Sequence, residues 1–292
     1  MSVPELIAYL NGEYAPLSTL KVPVLDRGFL FGDGVYEVIP VYSRQPFRLE
    51  EHIQRLGRSL AAARIDDPHS TQQWMALVRE IVQRQPFEDQ SVYLQVTRGP
   101  AYPRNHAFPH VSHPTVFLYA DPLLPPAQSL VEHGVSAISA DDIRWLRCNV
   151  KATSLLANVL LRQLAADAGV TETVLFRDGL LIEGSASNIF VVKGGQLLAP
   201  PPSPLMLTGI TYDLVLELAR KHQLPHQVRP ITEDEVHTAD ELWLSSSSKE
   251  LLAIIELDNQ PVATGKPGPL FRAMYQHYVA FKRDVMRAKE TR

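Results

Sequence analysis

The sequence predicts an α+β protein with mostly antiparallel sheets. Three observations lead there. Hairpin turn signals recur between β-rich runs at Asn11-Gly12, Asp178-Gly179 and Gly194-Gly195, dipeptides whose ready access to positive φ suits two-residue hairpin turns. Such hairpins outnumber strand–helix–strand units, which favours antiparallel pairing. A length of 292 residues suggests about two domains at roughly 150 residues each, and each can bury a core without disulfides or a structural metal.

In chain order, Leu6–Leu10 and Tyr14–Leu17 flank the first turn as a hairpin, and Gly34–Tyr42 is β-branched and aromatic, hence a strand. Glu50–Ile65 spaces Ile53, Leu56, Leu60 and Ala63 as a helix does, and Thr71–Gln83 repeats the pattern. Ser91–Thr97 and Thr115–Tyr119 read as strands. The proline-rich Asp121–Gln128 marks a linker. The expected division is a smaller N-terminal α/β domain over 1–120, a linker over 121–133 and a larger C-terminal domain over 134–292 carrying Lys151. That second domain starts with Asp141–Lys151 and a helix from Ser154 to Ala168, stopped by Gly169. Thr173–Arg177 with Leu180–Ile182, and Ile189–Lys193 with Gln196–Leu198, form the other two hairpins. Thr211–His222 is a helix, Glu241–Ser245 and Leu251–Leu257 are strands, and Pro269–Lys289 is an amphipathic closing helix.

Composition excludes several classes. With 45% hydrophobic and 21% charged residues, the chain is globular rather than disordered. A formal charge of −4 lacks the basic surplus usual in a nucleic-acid binder. The single cysteine, Cys148, excludes a disulfide framework and any multi-cysteine zinc site. The start, MSVPELIAYLNGEY, has neither the basic nor the apolar region of a signal peptide. No apolar run approaches the ~20 residues of a membrane span. The expected address is the cytoplasm.

There is no G-x-G-x-x-G, Walker A or H-E-x-x-H motif, and Gly184-Ser185-Ala186-Ser187 is not a nucleophile elbow. His106, His110 and His113 crowd one loop, but Pro109 and Pro114 interrupt it, so no helix aligns the imidazoles and no metal is expected.

Lys151 stands out. Only eight of the 28 basic residues are lysines, and none lies between Lys21 and Lys151. It precedes an apolar helix, where a lysine either snorkels to solvent or is desolvated into a neutral amine that attacks a carbonyl to form a Schiff base. Glu183 ends an apolar strand and needs a partner. That partner is a helix cap, an ion pair, or a pyridine nitrogen whose protonation makes the ring an electron sink. Leu207-Thr208-Gly209-Ile210-Thr211 opens a helix whose backbone N–H groups suit a phosphate. Ser245–Ser248 offers hydroxyls, and Arg55, within an amphipathic helix, offers a guanidinium fork.

These stretches together carry a resemblance. Asp26 through Glu37 (DRGFLFGDGVYE), Glu51 through Leu56 (EHIQRL), Asp142 through Lys151, Glu183 through Asn188 (EGSASN) and Gly209-Ile210-Thr211 run in order over nearly the whole chain. They resemble the fold-type IV (class IV) aminotransferases, which depend on pyridoxal 5′-phosphate, and within them the D-amino-acid aminotransferases. The resemblance implies Lys151 as the Schiff-base lysine and proton shuttle. It implies Glu183 at the pyridine nitrogen, Arg55, Gly209, Ile210, Thr211 and Ser247 at the phosphate, and Leu207 under the ring. It further implies a homodimer with its sites at the cleft between the smaller and larger domains.

Handedness follows from which pocket holds a cation. Lys151 serves one cofactor face, so the substrate carboxylate and side chain must enter opposite pockets. Arg104 and His106 lie two apart on an extended loop and face one way. They belong either to a solvated Pro/Arg/His loop or, with the Tyr36 hydroxyl, to a carboxylate trap; the resemblance to D-amino-acid aminotransferases, in which the loop reaches the neighbouring subunit's site, implies the trap. The expected reaction moves the amino group of D-alanine to 2-oxoglutarate, giving pyruvate and D-glutamate in ping-pong order. The alternatives are a branched-chain L-amino-acid or (R)-amine aminotransferase, an aminodeoxychorismate lyase of the same fold, and a metal hydrolase built on the His106 loop.

Overall fold

A computed structural model describes residues 5–287 of the chain. They divide into two units: the described parts of Met1–Leu124, Val150–Leu155 and Met286–Arg292, and then Pro125–Asn149 with Leu156–Val285.

The first unit contains β1 (Ile7–Leu10), β2 (Glu13–Pro16), α1 (Arg27–Phe31), β3 (Gly34–Tyr42), β4 (Gln45–Pro46), α2 (Leu49–Ala63), α3 (Thr71–Gln83), β5 (Gln90–Thr97) and β6 (Thr115–Pro122). Its sheet runs β2-β1-β6-β5-β3-β4 and is antiparallel throughout. The alternation of β5 buries Val92, Leu94 and Val96 against Ile53, Leu56 and Leu60 of α2 and Trp74 and Val78 of α3. Ser70 and Gln73 form a reciprocal capping box that fixes the start of α3. The buried face of α2 is not purely apolar, because His52, Arg55 and Ser59 are interleaved with its leucines.

The second unit contains α4 (Gln128–His133), β7 (Val135–Asp141), α5 (Leu156–Asp167), β8 (Glu172–Arg177), β9 (Leu180–Gly184), β10 (Asn188–Lys193), β11 (Gln196–Ala199), α6 (Ile210–Lys221), β12 (His226–Val228), α7 (Glu233–His237), β13 (Glu241–Ser246), β14 (Glu250–Leu257), β15 (Gln260–Pro261) and α8 (Pro269–Phe281). Its sheet runs β12-β11-β10-β13-β14-β7-β8-β9, with β15 beside β14. Val174, Ile189, Val191, Leu242, Leu244, Leu252 and Ile254 form its apolar centre. No helix among the described residues is long and apolar enough to cross a membrane.

The three expected hairpins form with both turn residues at positive φ: Asn11 and Gly12, Asp178 and Gly179, Gly194 and Gly195. Two further hairpins turn on Ser43-Arg44 and Asp258-Asn259, also at positive φ; without glycine they lack the usual turn signature.

The antiparallel expectation describes the first sheet fully and the second in part. β11/β12, β14/β7 and β7/β8 are parallel, because β7 and β12 were not foreseen as strands. The foreseen linker 121–133 differs too: Asp121 and Pro122 finish β6, and Gln128–His133 form α4. Lys151 falls in the first unit rather than the larger second one, because Val150–Leu155 pairs with the edge of β3. The closing helix is α-helical to Phe281 and continues as a π-helical segment over Lys282–Met286. Residues 288–289 of its expected span lie outside the described residues.

Candidate active site

In the first unit, Val150–Leu155 lies along the start of β3. Tyr36 N donates to the Lys151 carbonyl (2.9 Å) and Thr153 N to the Gly34 carbonyl (2.9 Å). A Cβ on Gly34 would stand 2.8 Å from the Val96 carbonyl oxygen, so glycine is required for this close approach. Lys151 N donates to Ser59 Oγ on α2 (3.2 Å). The result places Lys151 Nζ over the Tyr36 ring, 4.2 Å from its centre. The lysine is half-buried, not the fully desolvated amine expected, and the helix after it starts at Leu156.

Arg55 is buried on α2 and forks onto Glu37 of β3, Nε to Oε1 at 2.7 Å and Nη2 to Oε2 at 2.8 Å. His52 Nδ1 lies 2.8 Å from the same Oε2. Burial alone would raise the Glu37 carboxyl, but Arg55 and His52 outweigh it and hold the group at about 2. Burial pushes His52 below its ordinary value, and the cations of Arg55 and Lys151 reinforce this against the pull of Glu37. Glu37 and His52 were not predicted as site residues. The signal was present: His52 and Arg55 are three apart on the apolar face of a helix, where unpaired polar groups are costly.

Arg104 and His106 are exposed on the loop between β5 and β6. Both pack on the Phe31 ring, Arg104 Cζ at 4.6 Å and the His106 ring at 5.3 Å from its centre. The loop therefore presents them together on one ring. Tyr36 stacks on Tyr93 at 5.7 Å. Among the described residues no group of three histidine, cysteine, aspartate or glutamate side chains is placed to hold a metal ion.

In the second unit, Glu183 ends β9 and is buried. Arg144 Nη1 donates to its Oε1 at 2.5 Å, Leu207 N to both oxygens at 3.2 Å, and Asn188 Nδ2 to Oε2 at 3.2 Å. Burial pushes the carboxyl up to about 7 against the pull of Arg144 and the Leu207 amide. Asp142 grips the other side of Arg144, accepting from Nε at 2.8 Å and Nη2 at 3.0 Å.

Asn188 links this carboxylate to the start of α6. Its Nδ2 donates to the Leu207 carbonyl (2.9 Å), and its Oδ1 accepts from Gly209 N (3.1 Å). A Cβ on Gly209 would meet that Oδ1 at 2.5 Å. The helix begins at Ile210 and Thr211 with no side-chain cap on its first amides. Opposite Asn188 in the β10/β13 ladder sits Ser245, whose buried Oγ has no partner. Ser247 occupies the following turn, half-buried. Thus Glu183, Leu207, Gly209 and the start of α6 come together. Arg144 and Asn188, the groups that join them, were missed because each touches its partner only through the tertiary fold.

Residues 34–257 match the family model for amino-transferase class IV. A D-alanine aminotransferase from Bacillus licheniformis is 41% identical over 260 residues, covering 89% of this chain and 91% of that protein. Another, from Staphylococcus aureus (strain MW2), is 36% identical over 271 residues, covering 92% and 95%. Among solved structures, the branched-chain aminotransferase from the thermophilic archaeon Thermoproteus uzoniensis with norvaline has a TM-score of 0.86 at 26% identity, covering 98% of this chain and 96% of that one. The branched-chain amino acid aminotransferase from Escherichia coli has a TM-score of 0.89 at 23% identity, covering 99% and 97%; at that identity the likeness speaks for the fold. The chain belongs to the class IV aminotransferases. It is thus a transaminase dependent on pyridoxal 5′-phosphate, with amino and keto acids as substrates.

The residues present fit that cofactor. An uncapped helix start at a glycine whose Cβ would crowd the Asn188 amide, beside a buried hydroxyl with no partner, suits a phosphate. A buried carboxyl held near neutrality suits a ring nitrogen that must share a proton.

Proposed function

We propose that this chain is a D-amino-acid aminotransferase that moves the amino group of D-alanine to 2-oxoglutarate, giving pyruvate and D-glutamate. The observation that carries the reading is the pair Arg104 and His106 seated on one Phe31 ring, two donors set to receive a carboxylate by charge-assisted hydrogen bonds. The relation to D-alanine aminotransferases over nine-tenths of the chain supports the same choice.

Bound pyridoxal phosphate supplies the aldehyde that takes up the amino group and a ring that spreads the electrons of the broken Cα–H bond. Lys151 Nζ takes the substrate's α-proton and later returns one. The Glu183 carboxylate would accept a hydrogen bond from the ring nitrogen, and Arg144 and Asn188 hold that carboxylate in place. The Ile210 and Thr211 amides and the Ser247 hydroxyl would hold the phosphate, a role the family resemblance also gives to the Arg55 guanidinium, which Glu37 orients. Leu207 would pack under the ring, and Tyr36 would join Arg104 and His106 at the substrate carboxylate.

A homodimer and a cytoplasmic address belong to the same proposal. Leu156, Val159, Leu160 and Leu164 form an exposed apolar stripe on α5, which a second copy would cover. The one cysteine, Cys148, is a buried free thiol, consistent with a reducing compartment.

The test is a half-reaction. Purified holoenzyme is mixed separately with D-alanine and with L-leucine, and the visible absorbance of the cofactor is followed. D-alanine should shift the band and L-leucine should not, while Lys151→Ala should abolish turnover. A shift with L-leucine alone would establish the branched-chain reading instead.

A further inference from the structure

Arg27 is buried in α1 and takes no part in the chemistry above. Its Nε donates to Asp33 Oδ2 (2.7 Å), its Nη1 to the carbonyls of Asn105 (2.5 Å) and Ala107 (3.3 Å), and its Nη2 to the carbonyl of His106 (3.1 Å). One guanidinium thus holds three consecutive carbonyls of the loop that carries Arg104 and His106. Phe31, four residues on in the same helix, is the ring on which both trap residues rest, and Arg27 Cζ itself lies 4.9 Å from its centre.

A second buried arginine backs the first. Arg98 donates to the same Asp33 through Nε (2.8 Å) and Nη2 (3.0 Å), and to the carbonyls of Arg64 (2.6 Å) and Ala63 (2.8 Å) at the end of α2. Its guanidinium lies 3.6 Å from the centre of the Phe108 ring, farther along the loop. Burial alone would raise the Asp33 carboxyl, but Arg98 and Arg27 outweigh it and keep the group below its ordinary range. The backbone closes the unit: Arg27 N donates to the Gly99 carbonyl (3.0 Å) and Arg98 N to the Asp33 carbonyl (3.1 Å).

The connection from β5 to β6 has no helix or strand of its own, and a loop that long, left to itself, samples many conformations. We propose that Arg27, seated on Asp33 and Arg98, is a positioning residue that holds the Arg104–His106 loop in its carboxylate-binding form before substrate arrives. This rests on the reading of Arg104 and His106 as the carboxylate trap. The geometry requires arginine: a planar fork serves four acceptors at once, whereas a lysine ammonium has three donors at a single point. Substrate affinity falls in proportion to the fraction of loops in the competent form.

The test uses the dimeric holoenzyme of Arg27→Lys. The expected result is a KM for D-alanine raised about tenfold, with kcat at saturating D-alanine within about twofold of wild type and an unchanged cofactor spectrum. Trypsin should cut after Arg104 much faster in the variant than in wild type, because an anchored loop resists a protease. An unchanged KM, or equal cleavage rates, overturns the proposal. Should the variant not fold, wild type decides alone: cleavage after Arg104 as fast as in a free peptide of residues 99–112 overturns it, and strong protection supports it. Arg104→Ala in parallel separates the two readings. If it leaves the KM for D-alanine unmoved, the trap assignment fails; if it raises KM and Arg27→Lys does not, only the role of Arg27 fails.

Discussion

The Glu37 carboxylate makes a prediction that can be worked through. It is wholly buried and accepts the Arg55 fork and the His52 hydrogen bond. Its carboxyl is held down from 4.5 to about 2. At about 1.4 kcal/mol per pH unit, ionised Glu37 is worth about 3 kcal/mol of folding stability at neutrality. The sign follows from the depressed native value. The stability is fully present above about pH 4.5 and is lost as pH falls toward 2, leaving under about 1 kcal/mol at pH 2.5. Glu37→Gln removes the titration and turns an amide donor toward Arg55 or His52, so at pH 7 it should cost about 3–5 kcal/mol. The assay is urea unfolding of wild type and variant from pH 2.5 to 7 at one fixed protein concentration. The gap between them should shrink by about 2.5 kcal/mol as pH falls across that range. A gap that stays constant would refute the reasoning, because it would mean that the carboxylate is not ionised at the expense of protons in the native state.

Two further predictions concern the second unit. Arg144→Ala leaves Glu183 without its cation and Asp142 with Arg177 as its remaining ion pair, so urea unfolding near neutral pH should show a loss of about 3–5 kcal/mol; a loss under about 1 kcal/mol would mean that the Leu207 and Asn188 donors suffice. Leu160→Glu puts a charge in the exposed apolar stripe of α5, and, if the proposed homodimer uses that stripe, sedimentation should show a lighter species than wild type at the same concentration; an unchanged mass would mean that the stripe is not an interface between copies.

Much of the site was legible because it is written in local chemistry. Asn11-Gly12, Asp178-Gly179 and Gly194-Gly195 can each take positive φ at both turn positions, and all three hairpins form. The helix start at Gly209-Ile210 and the two-residue spacing of Arg104 and His106 were readable for the same reason. Glu37, Arg144 and Asn188 were not, since each acts through a partner that the fold brings near, while the spacing of His52 and Arg55 on one apolar helix face was a signal present but unused. Arg144 and Glu183, for example, are 39 residues apart in sequence. The parallel pairing of β7 with β8 and β14 was likewise hidden, because nothing within Val135–Asp141 states which strands will flank it.

By itself, then, the chain's order of residues determined its hairpins and most of its helices, because turn propensity and helix periodicity act over a few residues, and it carried the stretches whose resemblance to class IV aminotransferases implies the family and the cofactor. The tertiary structure alone decided which carboxylate holds which guanidinium, that Lys151 is half-buried beside β3 rather than sealed in an apolar pocket, and that Arg27 reaches the Asn105, His106 and Ala107 carbonyls. Those are contacts between segments far apart along the chain, and their energies depend on burial and distance, which exist only after folding.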